Sequence, residues 1–189
     1  MSGEAILRRI AVSSVLLTLL LAATASAAPL KPEIVGIGGQ IRGREARVNF
    51  TLQNAFTPEM VEALKSGIEI SFKTVVRVER VHHGWFNTTL GEIKFSRSVK
   101  YDVLSRVYRI NREGREDLLP DVHAALAGMT RYEVVVPSFL EAESGKSYRA
   151  YVKTRLDRVG LSEPLRSILF FSSIWDVETE WAKGYLTAP

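Results

Sequence analysis

Between Ile68 and Glu79 the chain alternates in period two. Ile68, Ile70, Phe72, Thr74, Val76 and Val78 fall on one side; Glu69, Ser71, Lys73, Arg77 and Glu79 fall on the other. Only an extended strand sends every second side chain to one face. The stretch is therefore committed to a sheet that is buried on one side and wet on the other. The same pattern sets Ala46, Val48, Phe50 and Leu52 against Glu45, Arg47, Asn49 and Thr51. It recurs where Tyr148, Ala150, Val152, Thr154 and Leu156 alternate with Arg149, Tyr151, Lys153 and Arg155. One-sided alternation in segment after segment favours antiparallel pairing over a parallel sheet buried on both faces.

Weaker signals complete the outline. Ile34 to Ile41 reads as a glycine-softened strand, turned back by Arg42-Gly43-Arg44. Thr57-Pro58-Glu59 opens a short helix that Gly67 stops. His83 to Gly91 reads as a loop, and Ile93 to Asn111 as a long strand whose phase slips near Ser105 or Arg106, predicting a bulge or bend. A second short helix is predicted over Leu118 to Leu126, ending at Gly128. Arg131 to Val136 is a further strand, and Ser167–Phe171 with Trp175–Trp181 a final pair. The expected fold is an antiparallel, immunoglobulin-like β-sandwich with two short helices in its connections. The alternative is an α+β antiparallel sheet with both helices on one face.

The N-terminus reads as an address. Arg8-Arg9 precede an apolar run from Ile10 to Ala23, and Ala25-Ser26-Ala27 places small residues where a signal peptidase reads. Residues 1–27 are a predicted signal peptide, 28–33 a linker and 34–189 a single β-rich domain, periplasmic or secreted after cleavage after Ala27. The apolar run falls short of the roughly 20 residues of a membrane span, so contact with a membrane is expected to be peripheral at most. The chain has no cysteine, which excludes both disulfides and lipidation at a mature N-terminal cysteine. Removing Glu4, Arg8 and Arg9 takes the formal charge from +4 to +3. That is too mild for a nucleic-acid footprint, and no run of lysine or arginine makes one.

The residues of common active sites are present without their frames. His82 and His83 are adjacent, which sends them to opposite faces of a strand, and His123 lies far along the chain. There is no Gly-x-Ser-x-Gly elbow. Glu141 with Glu143, and Glu178 with Glu180, lie in polar stretches. Gly36 to Gly39 lacks the third glycine of a dinucleotide loop. No enzyme activity, metal or cofactor is expected.

Binding is better supported. Trp85-Phe86 sits at the tip between the two longest strands, where large apolar side chains need something to pack on. Arg149, Lys153 and Arg155 share the outward face of one strand. Arg155 and Asp157 share parity too, which sets up a charge pair on that face. Trp85, Phe86, Arg149, Lys153 and Arg155 are the candidate interaction surface.

The order of several segments carries a resemblance. Ser66-Gly67-Ile68 opens the first long strand, with Trp85 in the loop after it; Lys100 to Tyr108 is followed by Arg155-Leu156-Asp157, then Leu161 and Pro164-Leu165, and Trp175 to Trp181 closes the series. This resembles the bacterial family catalogued as domain-of-unknown-function family 4390. One departure is Thr179, where the family carries a serine before the final tryptophan. The resemblance implies an exported protein with no assigned activity, encoded near sensor kinases of the nitrogen-regulation type. It supplies no catalytic residues.

The expected function is a non-enzymatic interaction module in the cell envelope, linked to sensing, with the periplasmic domain of a sensor kinase as one partner. The alternative is a carrier or sensor of a small apolar ligand held between the sheets by Phe72, Tyr101, Tyr132, Tyr148 and Phe170.

Overall fold

The alternation that begins near Ile68 builds β3 (Ile70–Val81) at the centre of a six-stranded sheet. The computed structural model describes residues 31–82, 84, 86–112, 114–157 and 177–188. Chain order is β1 (Glu33–Arg42), β2 (Glu45–Gln53), α1 (Pro58–Lys65), β3, β4 (Thr88–Asp102), β5 (Val107–Arg112) and β6 (Arg115–Leu119). Then come α2 (Val122–Thr130), β7 (Arg131–Pro137), β8 (Ser147–Leu156) and β9 (Ala182–Leu186). Strands β1-β2-β7 form one antiparallel sheet and β6-β5-β4-β3-β8-β9 the other. The two sheets make an antiparallel β-sandwich with two short helices in its connections.

The buried face of each alternating strand points between the sheets. Ala46, Val48, Phe50 and Leu52 from β2 meet Phe72, Val76 and Val78 from β3 and Tyr148, Ala150 and Val152 from β8 in one core. Buried polar groups interrupt it. The Arg97 guanidinium lies 4.0 Å from the Tyr132 ring centre and donates to the carbonyls of Gly128 and Arg131 at 2.9 and 2.7 Å. Thr74 and Thr154 stand directly opposite each other on β3 and β8, and their hydroxyls bond at 2.9 Å. The sandwich is also tied along both sides. Ile41 donates to the carbonyl of Thr187 at 2.8 Å and Thr187 to that of Gly39 at 3.0 Å, linking β1 to the chain just past β9. On the other side Phe139 donates to the carbonyl of Leu90 at 2.7 Å.

The helix starts follow their capping residues. Thr57 accepts from the Met60 amide at 3.3 Å, and Gly67, at φ +85°, ends the turn after α1. Asp121 accepts from the Ala124 amide at 2.8 Å and fixes the start of α2.

Three sequence expectations differ from the structure, and a fourth falls mostly outside the described residues. The phase slip near Ser105 is neither bulge nor bend within one strand but a tight turn between β4 and β5. Asp102 closes that turn by accepting from the amides of Leu104 and Ser105, both at 3.0 Å, and Arg106 takes the left-handed conformation at φ +56°. The loop predicted to reach Gly91 ends earlier, because Thr88 and Thr89 pair with Arg80 and Glu79, and a register shift next to Val78 absorbs Leu90 into the core. The second helix starts at Val122 rather than Leu118, since Leu118 and Leu119 pair with β5 as part of β6. Gly128 lies inside this helix, where a Cβ would come within 2.7 Å of Ile110 Cδ1. Finally, Ser167–Phe171 and Trp175 lie outside the described residues. The chain from Val177 to Trp181 makes only a bridge, Arg155 to Glu178, and the closing strand is β9.

Candidate interaction face

The outward residues of β3, β4 and β8 form the exposed face of the large sheet, and register brings them together. Lys73 stands between Arg155 and Ser96; Val75 stands between Lys153 and Lys94; Arg77 stands between Tyr151 and Glu92; Glu79 faces Arg149. Tyr185 and Lys183 of β9 extend the last two rows. Seven cations (Lys73, Arg77, Lys94, Arg149, Lys153, Arg155, Lys183) lie in these rows with four carboxylates (Glu79, Glu92, Asp157, Glu178).

The carboxylates are engaged by neighbouring cations. Lys73 meets Asp157 at 3.0 Å, Lys153 meets Glu178 at 2.7 Å, and Glu92 is shared between Arg77 at 2.8 Å and Lys94 at 3.1 Å. Hydrogen bonds from Arg77 and then Lys94 hold the Glu92 carboxyl below its usual range. A carboxylate pinned in its ionised form serves as a charge partner and not as a general acid. The pairing expected of Asp157 is thus made with Lys73, the cross-strand neighbour of Arg155.

An open groove of about 560 Å³ lies over Val75, lined by Lys73, Lys94, Ser96, Lys153, Arg155 and Glu178 among others. One row further along, the Arg77 guanidinium sits 5.5 Å from the ring centre of Trp181, which is 45% exposed. At the far end Arg149 bonds the Tyr185 hydroxyl at 2.7 Å and stacks on that ring at 4.7 Å. The hydrogen bond to Tyr151 first, and that to Tyr185 next, raise the Arg149 pKa further above its ordinary value.

Of the residues singled out in the sequence, Arg149, Lys153 and Arg155 lie on this face, and Trp85 lies outside the described residues. Phe86 projects from the β3–β4 tip, 87% exposed. The tip is joined to the basic face through Asn87, which donates to Glu79 at 3.0 Å and reaches the Tyr151 hydroxyl at 3.5 Å. Tyr151 in turn accepts from Arg149 at 3.3 Å. Phe139, 77% exposed, stands on the neighbouring loop at the same end, which the sequence reading missed.

Other candidates resolve differently. His82 Nε2 bonds the Thr88 hydroxyl at 3.0 Å, and among the described residues no group of three His, Cys, Asp or Glu is placed to hold a metal. Phe72, Tyr132 and Tyr148 are buried. Tyr132 stacks on Phe50 at 4.6 Å, and Phe72 meets Phe56 edge-on at 5.3 Å. Tyr101 packs on Tyr108 at 4.7 Å, and Phe170 lies outside the described residues.

A family model described as a domain of unknown function, DUF4390, matches residues 33–184, from the start of β1 into β9. The chain belongs to the DUF4390 family. No curated protein matches it. Thr179, near the end of the region matched to DUF4390, is buried and ties the closing segment of the chain to β8. Its Oγ1 accepts from the Thr154 amide at 3.0 Å, and its own amide returns a bond to the Thr154 carbonyl at 2.9 Å. Among the described residues no helix is long and apolar enough to cross a membrane.

Proposed function

We propose that this DUF4390 protein is an exported, non-enzymatic interaction module of the cell envelope. Its contact surface is the outer face of the large sheet, with the Phe86 tip at one end. The observation that carries this reading is the continuity of an exposed phenylalanine with a basic, aromatic sheet face through Asn87, Tyr151 and Arg149. Burying a phenylalanine is worth about 1.5–3 kcal/mol, which Phe86 leaves unused at 87% exposure. Arginine, tyrosine and tryptophan are the residues that dominate protein contacts, and Arg77, Arg149, Trp181, Tyr151 and Tyr185 meet here. Export is supported by the Arg8-Arg9, apolar run and Ala25-Ser26-Ala27 series.

The test is Phe86→Ser combined with Arg149→Ala in cells that export the protein, followed by crosslinking. A partner captured by the wild type is lost in the variant, while the melting temperature falls by no more than about 4 °C, because Phe86 is exposed and the half-buried Arg149 gives up only surface contacts worth about 1 kcal/mol. Capture that survives both changes rejects this surface.

A further inference from the structure

We infer that the groove over Val75 receives the acidic side chains of an extended segment of a protein partner. The inference rests on the outer face being the contact surface and adds the chemistry of what it contacts.

Two adjacent rows of the sheet set the groove. Arg155, Lys73 and Ser96 make one; Lys153, Val75 and Lys94 make the next. Four cations therefore surround one apolar side chain across three strands, a width of roughly 10 Å. Arg155 and Lys73 face each other directly. Like charges in that relation repel; Asp157, 3.0 Å from Lys73, and Glu178, the bridge partner of Arg155 on its other side, moderate that repulsion. The carboxylates at the rim offset the lysines without reversing the sign. Asp157 serves Lys73, Glu178 serves Lys153, and Glu92 divides itself between Lys94 and Arg77. A positive, water-exposed concavity attracts an anionic partner and orients it.

The shape selects an extended polypeptide. The groove opens to solvent on a sheet face and its cations are spread over three strands, so it suits spaced carboxylates better than one small anion. Val75 gives it an apolar floor, and Trp181 gives an aromatic surface one row away for side chains between the acidic positions.

The test uses the purified protein and a fluorescent glutamate-rich peptide, with a lysine-rich peptide and inorganic phosphate as comparisons. The glutamate peptide binds, the lysine peptide does not, and millimolar phosphate leaves binding in place. Raising salt from 50 to 200 mM weakens it severalfold through screening. Lys153→Glu with Arg155→Glu reduces affinity at least tenfold; Arg155→Gln alone reduces it less while keeping the melting temperature of the wild type. Absence of peptide binding, equal binding by the charge-reversed protein, or full displacement by phosphate overturns the inference. So does a variant that melts early yet binds normally, which assigns these cations to the fold. Crosslinking that depends on Phe86 and Arg149 but persists undiminished in the Lys153→Glu, Arg155→Glu protein keeps the contact surface and rejects only the acidic groove.

Discussion

Strand β9 is held between β8 and β1, and Gly184 is what allows it to lie there. A Cβ at position 184 would fall inside contact distance of the Ile37 carbonyl oxygen and 2.7 Å from both Ile37 Cβ and Cγ2. The obstacle includes backbone, so no rotamer change relieves it, and Gly184→Ala pushes β9 away from β1. Two hydrogen bonds then weaken, Ile41 to Thr187 and Thr187 to Gly39, each worth about 0.5–1.5 kcal/mol. Leu186, buried to 7% exposure, loses part of a burial worth about 1.5–3 kcal/mol. Partial relaxation leaves a net loss of about 3 kcal/mol, which lowers the melting temperature of a domain of this size by roughly 6–12 °C. Gly38→Ala is the control. Its Cβ would meet only the Asn49 side chain, at 3.7 Å, so its effect stays within about 0.5 kcal/mol. Thermal melts of the three proteins, followed by far-ultraviolet circular dichroism, give the comparison. A Gly184→Ala protein that melts within about 2 °C of wild type refutes the argument that β1 and β9 are wedged together.

Two further predictions concern the sandwich. Asp102 is held down to about 2 from an ordinary 3.8, by the Ser105 amide first and Arg109 next. A depressed carboxyl contributes stability above its unfolded pKa and loses it as pH falls through the folded value. Asp102→Asn is therefore less stable than wild type near pH 6, and the two converge as pH drops from about 4 toward 2; urea titrations at both ends check this. Thr74→Val leaves the buried Thr154 hydroxyl without its partner and costs about 1–3 kcal/mol, whereas adding Thr154→Val costs less than the sum of the two single changes. A double-mutant cycle by urea unfolding measures that coupling, and strict additivity would contradict it.

Most of the sheet could be read from the chain because alternation reports burial directly. Ile70 to Val78, Ala46 to Leu52 and Tyr148 to Leu156 are buried on the faces their spacing predicts. Alternation does not report neighbours. That Lys73 would stand beside Arg155, or Val75 between two lysines, depends on register, which is fixed by long-range pairing. Val75 was nevertheless a signal, an apolar residue on the polar side of β3 that now floors a groove. The errors cluster where a local interaction outweighs periodicity. Asp102 and a left-handed Arg106 fold a hairpin out of what reads as one strand. Leu118 and Leu119, good helix formers, are claimed by pairing with β5. Of the candidate site, the basic residues of β8 were legible as one face and Phe86 as an exposed tip. Trp181, Tyr185 and Phe139 join them through folding across the sheet and between loops, which no local pattern records.

The most direct test of the account is photocrosslinking in cells from two single positions of the exported protein. One is Val75, on the outer face of the large sheet; the other is Val135, on the outward side of the small sheet and 43% exposed. Position 75 yields one reproducible protein adduct, competed by a glutamate-rich peptide, and position 135 yields none. Equal labelling from both positions, or an adduct from position 135 alone, would contradict that account.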